Sequence, residues 1–279
     1  MSPADRRVAA AFERMQESGI KSNRELGQNF LVDANMLDVV SREAGVSSDD
    51  VVLEVGGGLG ILSEHLAPLV SHLHVVEVDT GLTDALGAAV APFNNVSLHF
   101  ADALALDLGS LDPAPNKLVA NLPYGIAAPL ILDSIVALPS CIAWVAMVQR
   151  EVGERLAAKP GTKAYGVPSA LAQAACRVKV VRPVSRTVFR PVPNVDSVIV
   201  RLDRFGPAAP KPVRTLISSG FAHRRKALPK SVALATGDAS AKERLQAGLE
   251  AIGLPADTRA ERLTSEQFFE LATAAGFIK

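Results

Sequence analysis

A glycine-rich segment is the first feature of the sequence that could bind a ligand. The apolar run Val51 to Val55, interrupted by Glu54, is followed by glycines 56, 57, 58 and 60. Glycines after a strand let the backbone approach a ligand closely and let the next helix begin against it. A glycine-rich turn without a ligand explains the segment about equally well. The spacing fits a dinucleotide motif only loosely, so the acidic residues that follow decide more about the ligand.

Two acidic residues follow the next two apolar runs. Glu77 ends the run Leu73 to Val78, where a carboxylate can accept hydrogen bonds from both ribose hydroxyls of an adenosine-containing cofactor. Asp102 follows the run Val96 to Phe100, where a carboxylate can accept a hydrogen bond from the adenine amine. An N-cap role in the following turn fits Asp102 equally well. With the glycines, these residues predict an adenosyl pocket.

The segment Asn121-Leu122-Pro123-Tyr124 predicts methyl transfer to a planar exocyclic amine. Such an amine is a poor nucleophile because its lone pair is delocalised. The Asn121 side-chain oxygen and the Leu122 carbonyl can accept its hydrogens and favour a pyramidal nitrogen. Pro123 would fix the loop, and the ring of Tyr124 offers a flat surface for an extruded base. The ring, rather than the hydroxyl, is expected to act.

A second aromatic residue lies in a proline-rich loop. In Phe189-Arg190-Pro191-Val192-Pro193 two prolines stiffen the chain, and the loop is expected to present the Phe189 ring beside the target base. A phenylalanine packed in the core at the start of a strand is the alternative.

Charge is unevenly distributed along the chain, although 29 basic and 29 acidic residues cancel overall. Residues 49–113 contain ten acidic residues and no Lys or Arg, whereas residues 177–230 contain thirteen basic and two acidic residues. The run His223-Arg224-Arg225-Lys226 lies in this basic region on a predicted helix. A solvated helix surface is the usual meaning of such a run, but the surrounding charge favours contact with RNA phosphates.

The elements that position these residues alternate between strands and helices. Seven apolar runs predict strands, near residues 51–55, 73–78, 96–100, 117–120, 142–148, 178–181 and 197–202, and helical spacing lies between them. This pattern predicts an α/β fold with an open, mostly parallel, Rossmann-like seven-stranded sheet whose last strand is antiparallel. A Pro- and Gly-rich linker begins at Gly206 and is followed only by helical patterns. We therefore expect a methyltransferase domain over 1–206 and a small all-helical RNA-docking domain over 207–279.

Composition excludes several other classes. Of the 279 residues 48% are hydrophobic and 21% charged, as in globular proteins, and no apolar stretch reaches the 18 to 20 residues of a membrane span. The N-terminal segment lacks the apolar core of a secretory signal. Cys141 and Cys176 give neither a disulfide framework nor zinc spacing, and the histidines show no metal spacing. The sequence thus predicts a cytoplasmic protein without a metal.

Taken together, these motifs closely resemble the KsgA/RsmA family of ribosomal RNA adenine dimethyltransferases, nearly end to end. Beyond those already described, the matching segments are Leu26-Gly27-Gln28-Asn29-Phe30-Leu31-Val32-Asp33, Gln149-Arg150-Glu151-Val152, Lys163-Ala164-Tyr165-Gly166 and the extension of the Phe189 loop through Ser197. The sequence departs from the family at Gly57, where proline is usual, at Gly125, where a polar residue is usual, and at Pro229-Lys230-Ser231.

The resemblance implies dimethylation of two adjacent adenosines in the 3′-terminal hairpin loop of 16S rRNA by a monomer acting on a small subunit or its assembly intermediate. It implies that the residues that bind S-adenosylmethionine are Gln28, Asn29, Leu31, Gly56, Gly58, Glu77, Asp102 and Asn121. It also implies that Tyr124 and Phe189 flank the target base. Three alternatives remain at this stage: a large-subunit adenine methyltransferase of the macrolide-resistance type, a non-catalytic assembly factor, and a nucleotide-dependent oxidoreductase.

Overall fold

The protein is described by a computed structural model that covers residues 3–17, 19, 22 and 26–279. The chain divides into two compact units. The first, the sheet unit, comprises Met1–Gly153 and Val178–Arg204; the second, the helical unit, comprises Glu154–Arg177 and Phe205–Lys279.

The main sheet has seven strands and contains each of the predicted ones. They are β2 (Val51–Val55), β3 (His72–Glu77), β4 (Val96–Phe100), β5 (Lys117–Asn121), β6 (Ala143–Gln149), β7 (Cys176–Val184) and β9 (Ser197–Arg204), in the order β4-β3-β2-β5-β6-β9-β7. The strands from β4 to β6 are parallel, and β9 is antiparallel to β6. The predicted fold class is confirmed. Because parallel strands end at one edge, Glu77 and Asn121 are brought to the same side of the sheet.

Short strands and helices complete the sheet unit. β1 (Phe30–Leu31) pairs antiparallel with β8 (Phe189–Arg190) in a separate two-stranded sheet. The helices are α1 (Pro3–Glu17), α2 (Ala34–Ala44), α3 (Ile61–Leu66), α4 (Thr83–Val90), α5 (Ala127–Ala137) and α6 (Arg150–Leu156), which ends within the helical unit. The sequence analysis did not predict α1 or α2. In α2, Leu37 and Val40 are fully buried at helical spacing, and the Asp33 side chain caps the helix by accepting from the Asn35 amide.

The helical unit contains α7 (Val167–Gln173), α8 (Lys211–Phe221), α9 (Leu228–Thr236), α10 (Ser240–Ala251) and α11 (Ser265–Ala274). Thr264 and Gln267 form a capping box that starts α11: the Thr264 hydroxyl accepts from the Gln267 amide, and the Gln267 side chain accepts from the Thr264 amide. No helix in the described part of the chain is both long and apolar enough to span a bilayer.

The division between the units differs from the predicted boundary after residue 206. It falls after Arg204, and the helical unit also takes in Glu154–Arg177, which the sequence analysis placed in the first domain. The reason is burial: Tyr165 is fully buried, its hydroxyl donates to the Leu263 carbonyl at 2.9 Å, and its ring meets that of Phe221 edge-on. A linker pattern in the sequence marks a change of composition, but it does not show that an earlier segment packs with a later one.

Candidate active site

A cavity of about 360 Å³ lies at the carboxyl ends of β2, β3 and β5, within the sheet unit. This volume is in the range of small-molecule sites. It is lined by the glycine segment 56–58 and by most of the predicted site residues, which are Gln28, Asn29, Leu31, Glu77, Asp102, Asn121, Leu122, Pro123 and Tyr124. Phe189 and the basic run at 223–226 are not among its lining residues.

The glycine segment and Glu77 form one structural element of the cavity wall. Gly56 and Gly58 have φ values of 83° and 56°, and a Cβ on Gly58 would lie 3.3 Å from the Phe30 ring. The Gly58 amide donates to Glu77 Oε2 at 2.8 Å, and the Asp79 amide donates to Glu77 Oε1 at 2.9 Å. The Glu77 side chain is therefore held in one orientation with both oxygens bound to backbone, and each retains a lone pair for a ligand hydroxyl.

Glu54 is a second carboxyl group in the cavity wall, for which the sequence analysis proposed no role. It is 1% exposed and accepts a hydrogen bond from the Ser63 hydroxyl at 2.6 Å. Burial raises the pKa of Glu54 to about 8, the Ser63 hydrogen bond lowers it, and the nearby Glu77 charge raises it further. The Glu54 carboxyl is consequently protonated at neutral pH in the protein without ligand.

This raised pKa predicts a pH-dependent stability difference between wild type and Glu54→Gln. The ordinary pKa of 4.5 applies to the unfolded chain, so between about pH 4.5 and 8 the folded protein holds a proton that the unfolded chain releases. The free energy of unfolding of wild type should therefore fall relative to that of the variant as pH rises through this window, by on the order of 1 kcal/mol per pH unit. Urea unfolding at pH 5.5, 7 and 8.5 measures the difference. The matched variant Asp84→Asn, at an exposed carboxylate, should show no such trend; a pH-independent difference for Glu54→Gln would contradict the prediction.

The segment before β1 is hydrogen-bonded to the loop after β3 and to the end of β5. Gln28 donates to Asp79 Oδ2 at 2.6 Å, and Asn121 Nδ2 donates to the Asn29 carbonyl at 3.0 Å. Leu31 is 4% exposed and pairs with Phe189 in the β1–β8 sheet. The Asn121 bond fixes the orientation of that amide, because its NH₂ group faces Asn29 and its oxygen is left to accept from another donor.

Asp102 is exposed and stands at the turn after β4. Its Oδ1 accepts from the Leu104 amide at 2.9 Å, which is the turn-capping role given as the alternative in the sequence analysis. It also lines the cavity. The turn-capping role is therefore observed, and the second carboxylate oxygen of Asp102 is left for a ligand, so the adenine contact stays a prediction.

The Asn121–Tyr124 segment forms the wall of the cavity after β5. The Leu122 amide donates to the Met147 carbonyl at 3.1 Å, and its side chain is buried. The Tyr124 ring is half-buried, and its hydroxyl is hydrogen-bonded to Ser197 Oγ at 2.8 Å. Burial raises the pKa of the Tyr124 phenol, while the Ser197 bond lowers it. No role for this hydroxyl or for Ser197 was predicted from the sequence, although Ser197 is the last residue of the matching segment that begins at Phe189.

The expectation that the proline loop presents the Phe189 ring is wrong. Phe189 is 1% exposed and belongs to the apolar core of the sheet unit together with Phe30 and Ile199. Pairing of β8 with β1 places this side chain on the inner face of the small sheet. The core alternative stated for Phe189 is the one observed, and the exposed apolar residues of the loop are Val192 and Val195.

The basic run at 223–226 is not helical. It forms the turn between α8 and α9, all four residues are exposed, and the predicted helix from Arg224 begins only at Leu228. Arg224 donates to the carbonyls of Lys163 and Tyr165 at 3.3 and 3.0 Å and forms an ion pair with Glu261 at 3.3 Å. Arg224 therefore links the turn to other residues of the helical unit, whereas no side-chain hydrogen bond or ion pair of Arg225 or Lys226 is found among the described residues.

The histidines group more closely than their sequence spacing suggested. His74 Nδ1 lies 3.0 Å from His99 Nε2, and the His72 and His74 rings are 4.5 Å apart. His74 Nε2 also donates to the Pro113 carbonyl at 2.9 Å. Across the described residues, no group of three or more His, Cys, Asp or Glu side chains is arranged to hold a metal ion.

The residues around the cavity fit an adenosyl cofactor. Gly56 and Gly58, which have positive φ, leave the backbone at the end of β2 without side chains. The Glu77 carboxylate, bound to two backbone amides, lies at the end of β3, and the Asn121 amide oxygen lies at the end of β5. A parallel sheet binds ligands in this position, beyond the carboxyl ends of its strands. The fold is that of a Rossmann-like, class I methyltransferase.

Comparison with known proteins defines the family. The model of the ribosomal RNA adenine dimethylase family matches residues 19–275. The chain is 42% identical over 282 residues to Ribosomal RNA small subunit methyltransferase A of Thermobifida fusca, covering 98% of this chain and 95% of the relative. It is 41% identical over 253 residues to the protein of the same name from Rubrobacter xylanophilus, covering 90% and 94%. The chain belongs to the ribosomal RNA adenine dimethylase family.

Solved structures agree with this fold. A dimethyladenosine transferase from Plasmodium falciparum has a TM-score of 0.74 and 25% identity, covering 88% of this chain and 98% of that one. The 23S rRNA methyltransferase ErmE has a TM-score of 0.66 and 24% identity, covering 89% and 100%, and supports the fold alone. Membership of the family implies that S-adenosylmethionine is the methyl donor and that ribosomal RNA is the substrate.

Proposed function

We propose that the chain transfers methyl groups from S-adenosylmethionine to the exocyclic amines of two adjacent adenosines in the 3′-terminal hairpin loop of 16S rRNA, giving dimethyladenosines. Its substrate is the small ribosomal subunit or an assembly intermediate, and it acts in the cytoplasm as a monomer. The observation that carries this proposal is the orientation of Asn121, whose amide oxygen is left to accept from an amine at the cavity. The two bacterial relatives described above, named for the small subunit, support the choice of rRNA.

In this mechanism the chain mainly binds and aligns the reactants. The bound cofactor supplies a methyl group on a sulfonium, which is already an activated leaving group. Glu77 would accept hydrogen bonds from the cofactor ribose, and the glycine loop would hold the cofactor at the end of β2. Asn121 and the Leu122 carbonyl accept the hydrogens of the target amine, and the Tyr124 ring stacks on the extruded base. By holding the target nitrogen in line with the methyl group that the cofactor would supply, these residues would provide most of the rate enhancement, and the proton of the positively charged nitrogen would leave to water.

The test of this function is the destination of a labelled methyl group. Small subunits from a strain that lacks the modification are incubated with the protein and radiolabelled S-adenosylmethionine, and large subunits from the same strain serve as the matched control. Label should appear in two adjacent adenosines near the 3′ end of 16S rRNA. Label in the large subunit would favour the macrolide-resistance type of activity, and absence of label from both would favour a non-catalytic assembly factor.

For docking of the rRNA we propose the turn at 223–226, with Arg225 and Lys226 as its phosphate contacts. Both are exposed and carry like charge on adjacent positions. The turn is held in place because Ser231 Oγ accepts from the His223 amide at 3.0 Å and donates to the Ser219 carbonyl at 2.7 Å. A fixed turn that displays two cations suits recognition of a folded RNA backbone.

Charge reversal at Arg225 and Lys226 should weaken binding to the small subunit and flatten its salt dependence. Each phosphate contact that is lost lowers the slope of log affinity against log salt by about 0.7 to 0.9. A filter-binding salt series on wild type and on Arg225→Glu/Lys226→Glu measures this. The double variant Lys211→Glu/Lys242→Glu changes net charge equally at two exposed lysines on α8 and α10. Equal effects of the two double variants would show that overall charge, and not the turn, determines docking.

A further inference from the structure

The hydroxyl of Tyr124 is anchored to a residue that is distant in sequence. It lies 2.8 Å from Ser197 Oγ, across 73 positions of the chain. Ser197 is the first residue of β9 and is fully buried, whereas Tyr124 lines the cavity. The side chain of a residue that lines the cavity is therefore tied to the sheet through its hydroxyl.

The anchor point itself is rigidly held. Ser197 is paired with Gln149 at the end of β6. The Arg150 amide donates to the Asp196 carbonyl at 2.9 Å, and the Asp196 carboxylate lies 3.3 Å from the Arg150 guanidinium and 3.5 Å from that of Arg186. Main-chain pairing and two ion pairs thus fix the backbone on either side of the Ser197 hydroxyl.

A bond at the hydroxyl restrains the ring in two ways. The oxygen is the atom farthest from the backbone, so holding it fixes the χ1 torsion that would swing the ring toward or away from the cavity. The phenol O–H prefers the plane of the ring, so the bond with Ser197 also favours one ring plane. Since burial raises the pKa of this phenol, the hydroxyl remains protonated at neutral pH and able to form the bond.

The Ile126 amide donates to the Pro123 carbonyl at 3.2 Å and closes the backbone turn, but the residue after Tyr124 adds no side-chain packing. Gly125 is exposed, and a Cβ built on it would meet no atom within 4 Å. Glycine permits backbone conformations that other residues rarely adopt. In this chain the position and plane of the Tyr124 ring therefore depend on the hydroxyl anchor more than they would if the next residue were packed.

We propose that Ser197 is a positioning residue for methyl transfer, holding the Tyr124 ring in the orientation in which the target base stacks and presents its amine. The inference rests on the proposed function. In-line displacement depends steeply on the angle and distance between the reacting atoms. Loss of the anchor should therefore slow the chemical step while leaving the binding of cofactor and the docking of rRNA unchanged.

A double-mutant cycle tests the proposal, with the single-turnover rate of methyl transfer to small subunits as the readout. Ser197→Ala and Tyr124→Phe should each lower this rate about tenfold, the size expected for one buried hydrogen bond left without its partner. Because both variants remove the same bond, the combined variant should also be about tenfold slower, and not about a hundredfold. KM for the subunit and the cofactor Kd from calorimetry should stay at wild-type values, and Ser197→Thr, which keeps the hydroxyl, should restore the rate.

A matched control separates positioning from stability. Ser134 is also fully buried in the sheet unit, where its hydroxyl accepts from Trp144 Nε1 at 2.9 Å. Ser134→Ala should lower the melting temperature but leave the rate unchanged. Two outcomes would overturn the proposal when wild type methylates the subunit. In one, the effects of Ser197→Ala and Tyr124→Phe on the rate multiply in the combined variant. In the other, either single variant has the wild-type rate. If wild type methylates neither subunit, the proposed function fails and the proposal with it.

Discussion

Asn121→Ala is expected to lower the rate of methyl transfer by about two to three orders of magnitude, the range found when one preorganised polar group facing a developing charge is removed. As the target nitrogen attacks, it gains positive charge, and the donor bond from Asn121 Nδ2 to the Asn29 carbonyl leaves the Asn121 oxygen to accept from an amine at the cavity that Asn121 lines. Alanine removes both the acceptor and this bond to the segment before β1. Cofactor affinity should therefore fall as well, by the smaller amount that one neutral hydrogen bond contributes, about 1 kcal/mol. Single-turnover kinetics and calorimetry measure the two effects separately.

Asn121→Asp shows which function of the amide matters. Aspartate keeps an oxygen for the amine and places a negative charge near the developing positive one, but it cannot donate to the Asn29 carbonyl. If the acceptor is the essential group, Asn121→Asp should be at least about tenfold faster than Asn121→Ala. Equal rates for the two variants would show instead that the bond to Asn29 carries the effect, and the proposed role of the oxygen would be wrong.

The sheet and the positions at its edge could be predicted because the relevant signals are local. An apolar run that ends in a glycine or an acid marks the carboxyl end of a buried strand, and the parallel arrangement then brings those ends together. Glu77 and Asn121 were placed correctly at the sheet edge for this reason. The capping box at Thr264 is a local signal of the same kind, since it depends on two residues three positions apart.

The remaining features depend on contacts between distant segments, which spacing does not reveal. Phe189 is buried because β8 pairs with β1, more than 150 residues earlier. Arg224 donates to the carbonyls of Lys163 and Tyr165, contacts that its place in a basic run did not indicate. The bond between Tyr124 and Ser197 likewise joins two motifs that were recognised separately. In each case residue types allowed the observed role, but only the fold selects it.

Gly57 stands where the family usually has proline, and the packing around it could not be predicted from the sequence. A Cβ at this position would lie 2.5 Å from Val75 Cγ1 and 3.1 Å from Leu86 Cδ2. Any larger residue here requires the β3 side chain and α4 to move, so glycine suits the tight packing of this chain beneath the cofactor loop. The change is thus a matter of packing under the loop and leaves the residues that face the cavity in place.

Glu77→Ala is expected to weaken cofactor binding by about 1.5 to 3 kcal/mol, because it removes a charged acceptor proposed to hold the ribose hydroxyls. The carboxylate also accepts from the amides of Gly58 and Asp79. Alanine leaves both amides without that partner, so the glycine loop should lose its fixed conformation and the free energy of unfolding should fall too. Calorimetric titration with the cofactor gives the affinity, and urea unfolding gives the stability.

Two further variants make this prediction specific. Glu77→Gln keeps one acceptor oxygen but turns an NH₂ group toward one of the two backbone donors, so its affinity should lie between those of wild type and Glu77→Ala. Asp84→Ala removes the same charge from an exposed position on α4 and should leave affinity unchanged. If Glu77→Ala bound the cofactor as tightly as Asp84→Ala, the ribose contact would have to be assigned to another residue. Asp102 would then be the first to test, since it is the other carboxylate that lines the cavity after a parallel strand.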